Sequence, residues 1–544
     1  RDAQESRGLG DVYKRQVRYD GSLKASVILK DLAPFVPALS RFEEPLDLNL
    51  VFSGHGKHLD CPTLQLANHH GLMIAGEAAL SNWDAGMDMY IYGKLGNLIM
   101  TKEGINVLMT NLTGKVPPIL QRLDYIRFNG EAAGYLHDLT LTGLFYTGAG
   151  MVKTDVMMSI DEQSMSRTYS GSVASADLDL GKLLNQEKKF GKVDFNVELK
   201  GFNYKNRYPE SYIKGIISSF EYSQYQYENI MLDGVYKDGG FNGRLSMDDA
   251  NGSVQIDGNF NVAKTIPDFN LKASVKNLRP HDLHLSDKYE NTSISLGLTA
   301  DFTGKSIDDM NGRISLDSLQ LNAPDERGCF LDNLTITAGQ VSGEKELRIN
   351  SSFMTAVIRG DYSYHTIPAS VVKTVQRYIP SLLTIKDNMP EPHNNFQFDI
   401  CLENTEVLSK LFQIPLELYL PASLKGYFND GEEKLHVEGH FPEFRYNGTR
   451  YDSGVLFCEN PSDRFKCSLR GGMLMKSGAM LNFSVEANAK NDHLETTINW
   501  GNNTDVTYGG KFAADTRFFK TEGPHPILQA DINIQPTKVV LNDT

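Results

Sequence analysis

The chain has 544 residues, with 68 acidic against 54 basic side chains and a formal charge of −14. That balance excludes binding to nucleic acid, or to anionic lipid head groups, by charge alone. A 40% hydrophobic and 10% aromatic content excludes disorder as the default. A chain this long would ordinarily hold about three or four domains unless it is a repeat fold.

Residues 1–16, RDAQESRGLGDVYKRQ, lack the alternation that follows and read as vector or adapter read-through, a non-native leader set aside from fold reasoning. Residues 17–180 hold the first two repeat units. In DLAPFVPALSRFEEPLDLNLVFSG, residues 31–54, Leu46, Leu48, Leu50 and Phe52 share one strand face. Short strands follow, then a helical stretch over Lys102–Leu123 that Pro117 and Pro118 divide.

Residues 181–290 form the third unit. In GKVDFNVELKG, Val193, Phe195, Val197 and Leu199 oppose Asp194, Asn196, Glu198 and Lys200. Asp238–Gly239, Asn242–Gly243 and Asn251–Gly252 read as hairpin turns. Val254, Ile256 and Phe260 lie on one face of the next strand, and Phe269, Leu271 and Val275 on one face of the strand after it. Residues 291–404 are the fourth unit, with Ile294, Leu296 and Leu298 aligned and a helix expected over 369–383. The last unit, 405–544, aligns Leu416, Leu418 and Leu420, then Phe483 and Val485. It stops inside an apolar run, so the chain reads as an internal fragment. The phrase of apolar segment, alternating strand and glycine occurs five times, at Gly54, Gly130, Gly201, Gly304 and Gly426. The spacing is uneven, which indicates a degenerate repeat.

No run of about 18–20 apolar residues is present to span a bilayer as a helix. The five cysteines make no metal spacing. Cys458 and Cys467 flank the hairpin FCENPSDRFKC and read either as a cross-strand pair or as small buried residues. His69–His70 and His281/His284 lack a third ligand, Asp248–Gly252 reads as a turn rather than a calcium loop, and Asp308–Asp309 reads as a solvated turn. No phosphate loop follows a strand. The expectation is a non-enzyme with no catalytic residue, no metal and no cofactor.

One-faced strands must hide their apolar side, in a sandwich, in a closed barrel or β-helix, or in a sheet curled into an open groove. Periodicity alone leaves these open. The segments DLGKLLNQEKKFGKVDFNVELKG, FMTAVIRGDYSYHTIPASVVKTVQRYIPSLL and NNFQFDICLENTEVLSKLFQIPLELYLPASLKGYFN resemble the TamB (translocation and assembly module) proteins of the AsmA-like superfamily, in the Bacteroidetes style. The resemblance implies an all-β fold with a few short helices, a long curled antiparallel sheet forming an elongated apolar groove, the β-taco. It also implies a periplasmic protein of the cell envelope, anchored in the inner membrane by an N-terminal segment. Such a protein engages an outer-membrane barrel assembly protein through a C-terminal domain, and both of those parts would lie outside this fragment. The implied roles are carriage of phospholipid between the membranes and support of outer-membrane protein translocation and assembly. The apolar residues named above would line the lipid groove. The alternatives are a structural or adhesive β-solenoid, or a chaperone that templates client strands.

Overall fold

The computed structural model describes residues 17–32, 40–161, 163–164, 166–203, 210–324, 328–383, 393–502, 508–521 and 527–541. The leader 1–16 lies outside the described residues. The described part holds 33 strands and five short α-helices, and the chain divides into two units. One runs up to Ala263 and includes His281–Asp287. The other takes Lys264–Pro280 and continues from Lys288.

In the first unit each strand from Arg18–Ile28 to Gly252–Asn261 pairs antiparallel with the next. The two-residue strand Leu178–Asp179 is bypassed, so Arg167–Ala176 pairs directly with Phe190–Asn203. In the second unit the same meander runs from Asp268–Leu278 to Leu528–Ile534, with short side pairings at Cys329–Leu331, Leu416–Leu418 and Lys538–Val540. Among the described residues, neither unit pairs its first strand with its last, so neither closes into a barrel. Each is an open, all-antiparallel sheet.

Local chemistry explains the hairpins. Asp238–Gly239, Asn447–Gly448 and Ser342–Gly343 have positive φ at both positions, the geometry whose twist matches that of paired strands. Asn251 sits in a turn as expected, while Asn242–Gly243 lies inside the strand Gly240–Asp249. There Gly243 faces Gly234, and a side chain would strike the Asp233 carbonyl. The glycine marks a close backbone approach, not a turn. The repeat glycines differ in the same way. Gly304 follows its strand, but Gly54, Gly130, Gly201 and Gly426 lie within theirs. Register shifts at Leu95/Leu98 and Asp452/Val455 add local bends.

The helices are punctuation between strands. α1 (Lys102–Thr113) starts where the Thr101 hydroxyl accepts from Gly104 N and ends at Gly114 with φ 78°. α2 (Pro118–Gln121) starts at a proline, so the expected division of the helical stretch is present. α3 (Leu180–Leu184) is capped by the Asp179 carboxylate. α4 (Ile367–Gln376) is shorter than the expected 369–383: the chain turns before Pro380, whose ring disfavours helix at the residue ahead of it. α5 (Glu406–Phe412) precedes the three-residue strand Leu416–Leu418, and Leu420 falls outside that strand, exposed.

Candidate functional site

The register of the second unit draws a line straight across its sheet. Leu271 opposes Ala300, followed by Ile314, Ile336, Ile349 and Ala356 on successive strands. It continues through Ile400, Leu424, Gly439, Leu456, Leu469, Val485, Ile498 and Phe512. Not one polar side chain interrupts it. A parallel line starts with Phe269 stacked on Phe302, rings 4.8 Å apart, and passes through Leu347, Ile358, Phe398 and Val437 to Cys458 and Cys467.

The first unit carries a matching line from Leu23 through Leu50 and Leu64 to Leu95, then Val173, Val197, Leu232, Leu245 and Ile256. Glycines at 76, 130, 143 and 215 fill intermediate places. Its one polar member is Thr154, whose buried Oγ1 has no hydrogen-bond partner among the described residues.

Side chains alternate faces on a strand, so the neighbours of the line lie on the opposite surface. In the first unit they form a charged ladder: Glu77–Lys94–Glu131 at one end and Glu198–Lys214–Asp233–Arg244–Asp257 at the other. Lys214 lies 3.4 Å from Asp233, and the Arg244 guanidinium 2.5 Å from Asp257. The Asp233 carboxylate raises the Lys214 ammonium above its ordinary value, and hydrogen bonds from Gln255 and Arg244 hold Asp257 below its own. In the first unit the register line is therefore apolar except at Thr154, and the opposite surface is wet and ion-paired.

The helices sit on the apolar surface near the strand ends. In the first unit Ile105 of α1 packs with Leu123, Ile126 and Ala149. In the second, Val407 of α5 packs on Leu319, Leu331 and Phe353, while Tyr378 and Ile379, just after α4, pack on Ala489. Most members of the register lines are half-buried, Leu50, Val197, Leu245, Ile336 and Val485 among them, while Ala300 and Ala356 are buried and Leu23 and Leu469 exposed. Contiguous apolar surface beyond a few hundred Å² on a folded protein marks a binding surface.

The expected lining residues fall on this surface at different depths. Leu48, Leu50, Val197, Ile256, Leu271 and Val485 lie in or beside the lines, as do Phe195, Leu199, Val254, Phe269 and Leu298. Phe52 covers Gly21 and Phe483 opposes Trp500, whereas Phe260, opposite Phe241, is 40% exposed. Leu46 and Val193 are buried at the strand ends, and Ile294 and Leu296 pack in the α5 cluster beside Val275. Leu416 and Leu418 stand apart, beside Tyr446 and Phe444. Sequence reasoning missed Ile314, Ile336, Ile349, Leu424, Leu456 and Ile498. The signal was present in part, since Leu334, Ile336 and Ala338 alternate with Thr335 and Thr337.

The polar clusters resolve into structure. His70 bridges Glu103 (2.7 Å) and Glu44 (3.2 Å), which raises its pKa, and His284 Nδ1 lies 2.9 Å from the Ser223 carbonyl oxygen. Among the described residues no three metal-ligating side chains converge. Asp249, at the end of the strand Gly240–Asp249 and beside its turn, accepts from Tyr225 Oη, Glu228 N and Asn251 N. Burial and that carboxylate push the Tyr225 phenol up to about 12. Asp309 accepts from Lys305 N and Ser306 N, which lowers it to about 2. Asp308 departs from the solvated reading: its carboxylate is largely buried and accepts from Ser363 Oγ and Tyr364 N, fixing the turn before α4. No helix among the described residues is long and apolar enough to cross a membrane.

No protein-family model matches the chain, and no curated protein matches its sequence.

Proposed function

We propose that this chain is a groove-forming conduit for phospholipid acyl chains, related to the TamB and AsmA-like proteins of the cell envelope and working in the periplasm. The observation that carries the reading is the unbroken apolar line from Leu271 to Phe512, in a unit whose described strands all belong to one open sheet. A sandwich would cover that surface and a solenoid would seal it, whereas an acyl chain needs it apolar and accessible. Lipid tails lie along the register lines, and head groups stay in water. The cross-strand disulfide supports a compartment outside the cytoplasm. Coupling to an outer-membrane barrel and to the inner membrane, and support of outer-membrane protein assembly, belong to the same reading.

Mass spectrometry of lipids extracted from the purified protein tests it, against a variant carrying Phe195→Glu, Val197→Glu and Leu298→Glu whose folding is checked by circular dichroism. The expected result is several phospholipids per wild-type chain, lost in the folded variant. A well-folded wild type that carries no lipid moves the assignment to a scaffold or a strand-templating chaperone.

A further inference from the structure

Several large rings on the apolar surface lie against glycines. Phe52 covers Gly21, Phe128 covers Gly130 and Gly143, Phe398 covers Gly426, Phe441 covers Gly439 and Trp500 covers Gly510. A methyl group built on any of these glycines would lie 2.3–2.9 Å from a ring atom, so each ring rests on the bare backbone. None of these glycines has a positive φ. Backbone conformation therefore does not require glycine here: at Gly21, Gly439 and Gly510 the ring does, and at Gly130, Gly143 and Gly426 the ring does together with the facing strand's backbone.

Glycine inside a strand costs about 0.5–1 kcal/mol relative to alanine, and a ring laid across it restores part of the lost packing. Stability alone would place such pairs on either surface. Every pair named lies on the apolar one, within two places of a register line. Side chains on strands ordinarily stand away from the sheet, and a standing tryptophan would project into the space a ligand must occupy.

We infer that these glycine-seated rings are the floor plates of the acyl-chain path, positioning residues that set the clearance above the sheet and offer ring faces to the chain. The inference rests on the conduit reading and adds to it which side chains the lipid touches. Gly21, Gly439 and Gly510 are the informative sites, because the nearest atoms to an added methyl there are side-chain atoms alone. An alanine at any of them lifts a ring without opposing the backbone.

Trp500 reports on its own plate. The chain has two tryptophans, so Trp83→Phe leaves Trp500 as the only indole emitter. Titration with a fatty acid brominated along its chain should quench Trp500. Gly510→Ala should raise the half-quenching concentration by about tenfold, the scale of one misplaced methylene in an apolar pocket. Gly439→Ala, on a different plate, should leave the Trp500 curve in place. If Gly510→Ala lowers the melting transition, binding of a fluorescent polyene fatty acid is compared between it and Gly510→Ala/Trp500→Leu. With no ring to lift, the double variant must bind better than the single.

An unquenched Trp500 in protein that co-purifies with phospholipid overturns the plates and leaves the conduit standing. A folded Gly510→Ala protein with an unchanged curve also overturns them. Absence of both quenching and co-purifying lipid removes the conduit itself, and the plates with it.

Discussion

Cys458 and Cys467 stand directly opposite each other on neighbouring strands, joined by a disulfide with their Cα atoms 4.1 Å apart. The pair lies in the apolar line beside Leu456 and Leu469, so the bridge clamps two strands of the surface proposed to carry lipid. Cys61, Cys329 and Cys401 are free thiols, each raised above its ordinary pKa chiefly by burial. Protein made in an oxidising compartment and unfolded without reductant should titrate three thiols per chain, rising to all five after reduction. Five before reduction would remove the bridge and its support for an extracytoplasmic location.

The two surfaces of the first unit should respond differently to charge. Lys214 stands between Glu198 and Asp233, so Lys214→Glu sets three carboxylates in a row across adjacent strands. The expected effect is a small drop in melting temperature that shrinks with added salt, since screening shortens to ~3 Å at 1 M. Lipid content should not change. Leu232→Glu, one residue before Asp233 and on the other surface, should strip lipid at any salt concentration. Equal lipid loss from both variants would show that the surfaces do not divide the work.

Alternation made the strands legible. Val193 to Leu199 and Val254 to Ile256 face where their spacing places them, because one greasy side per strand admits few other structures. The pairing of Cys458 with Cys467 was half legible, as one of two readings of a nine-residue separation. The register was not. Bulges such as Leu95/Leu98 shift which residues oppose, and nothing in one strand's pattern announces them. The glycines were misread for a related reason. Glycine marks either a turn or a close approach, and only the fold reveals that Phe128 lies across Gly130 or Phe398 across Gly426. Asp308 looked solvated beside Asp309, yet its partners, Ser363 and Tyr364, are more than fifty residues away.

Asn394 locks α4 to the sheet. Its side chain accepts from Ser363 N and donates to Thr366 Oγ1 and Ser370 Oγ, while its own N–H and the Ser370 hydroxyl both donate to Asp430. Asn394 is 1% exposed and Ser370 fully buried. Asn394→Ala leaves buried polar groups without partners, at about 1–3 kcal/mol for each group stranded. Urea unfolding should show a lower midpoint with an unchanged slope. An unchanged midpoint would mean that water or another side chain replaces the amide.

Glu346 supplies a pH test on the polar surface of the second unit. It is 6% exposed and clamped by two arginines: Arg359 Nε lies 2.5 Å from one carboxylate oxygen and Arg348 3.0 Å from the other. The Arg359 hydrogen bond, then that of Arg348, holds the carboxyl below its ordinary value of 4.5. A carboxylate with a depressed folded pKa contributes stability that is complete above the ordinary value and is lost as the pH falls through the folded one. Glu346→Gln should therefore cost about 1.5–3 kcal/mol at pH 7, the range for hydrogen bonds to charged groups. The gap to wild type should close below pH 4.5, where Glu346 takes up a proton and becomes as neutral as glutamine. Urea midpoints for both proteins, measured down to the acid limit of folding, decide it. A gap that stays constant into acid would assign the cost to packing rather than to the charge on Glu346.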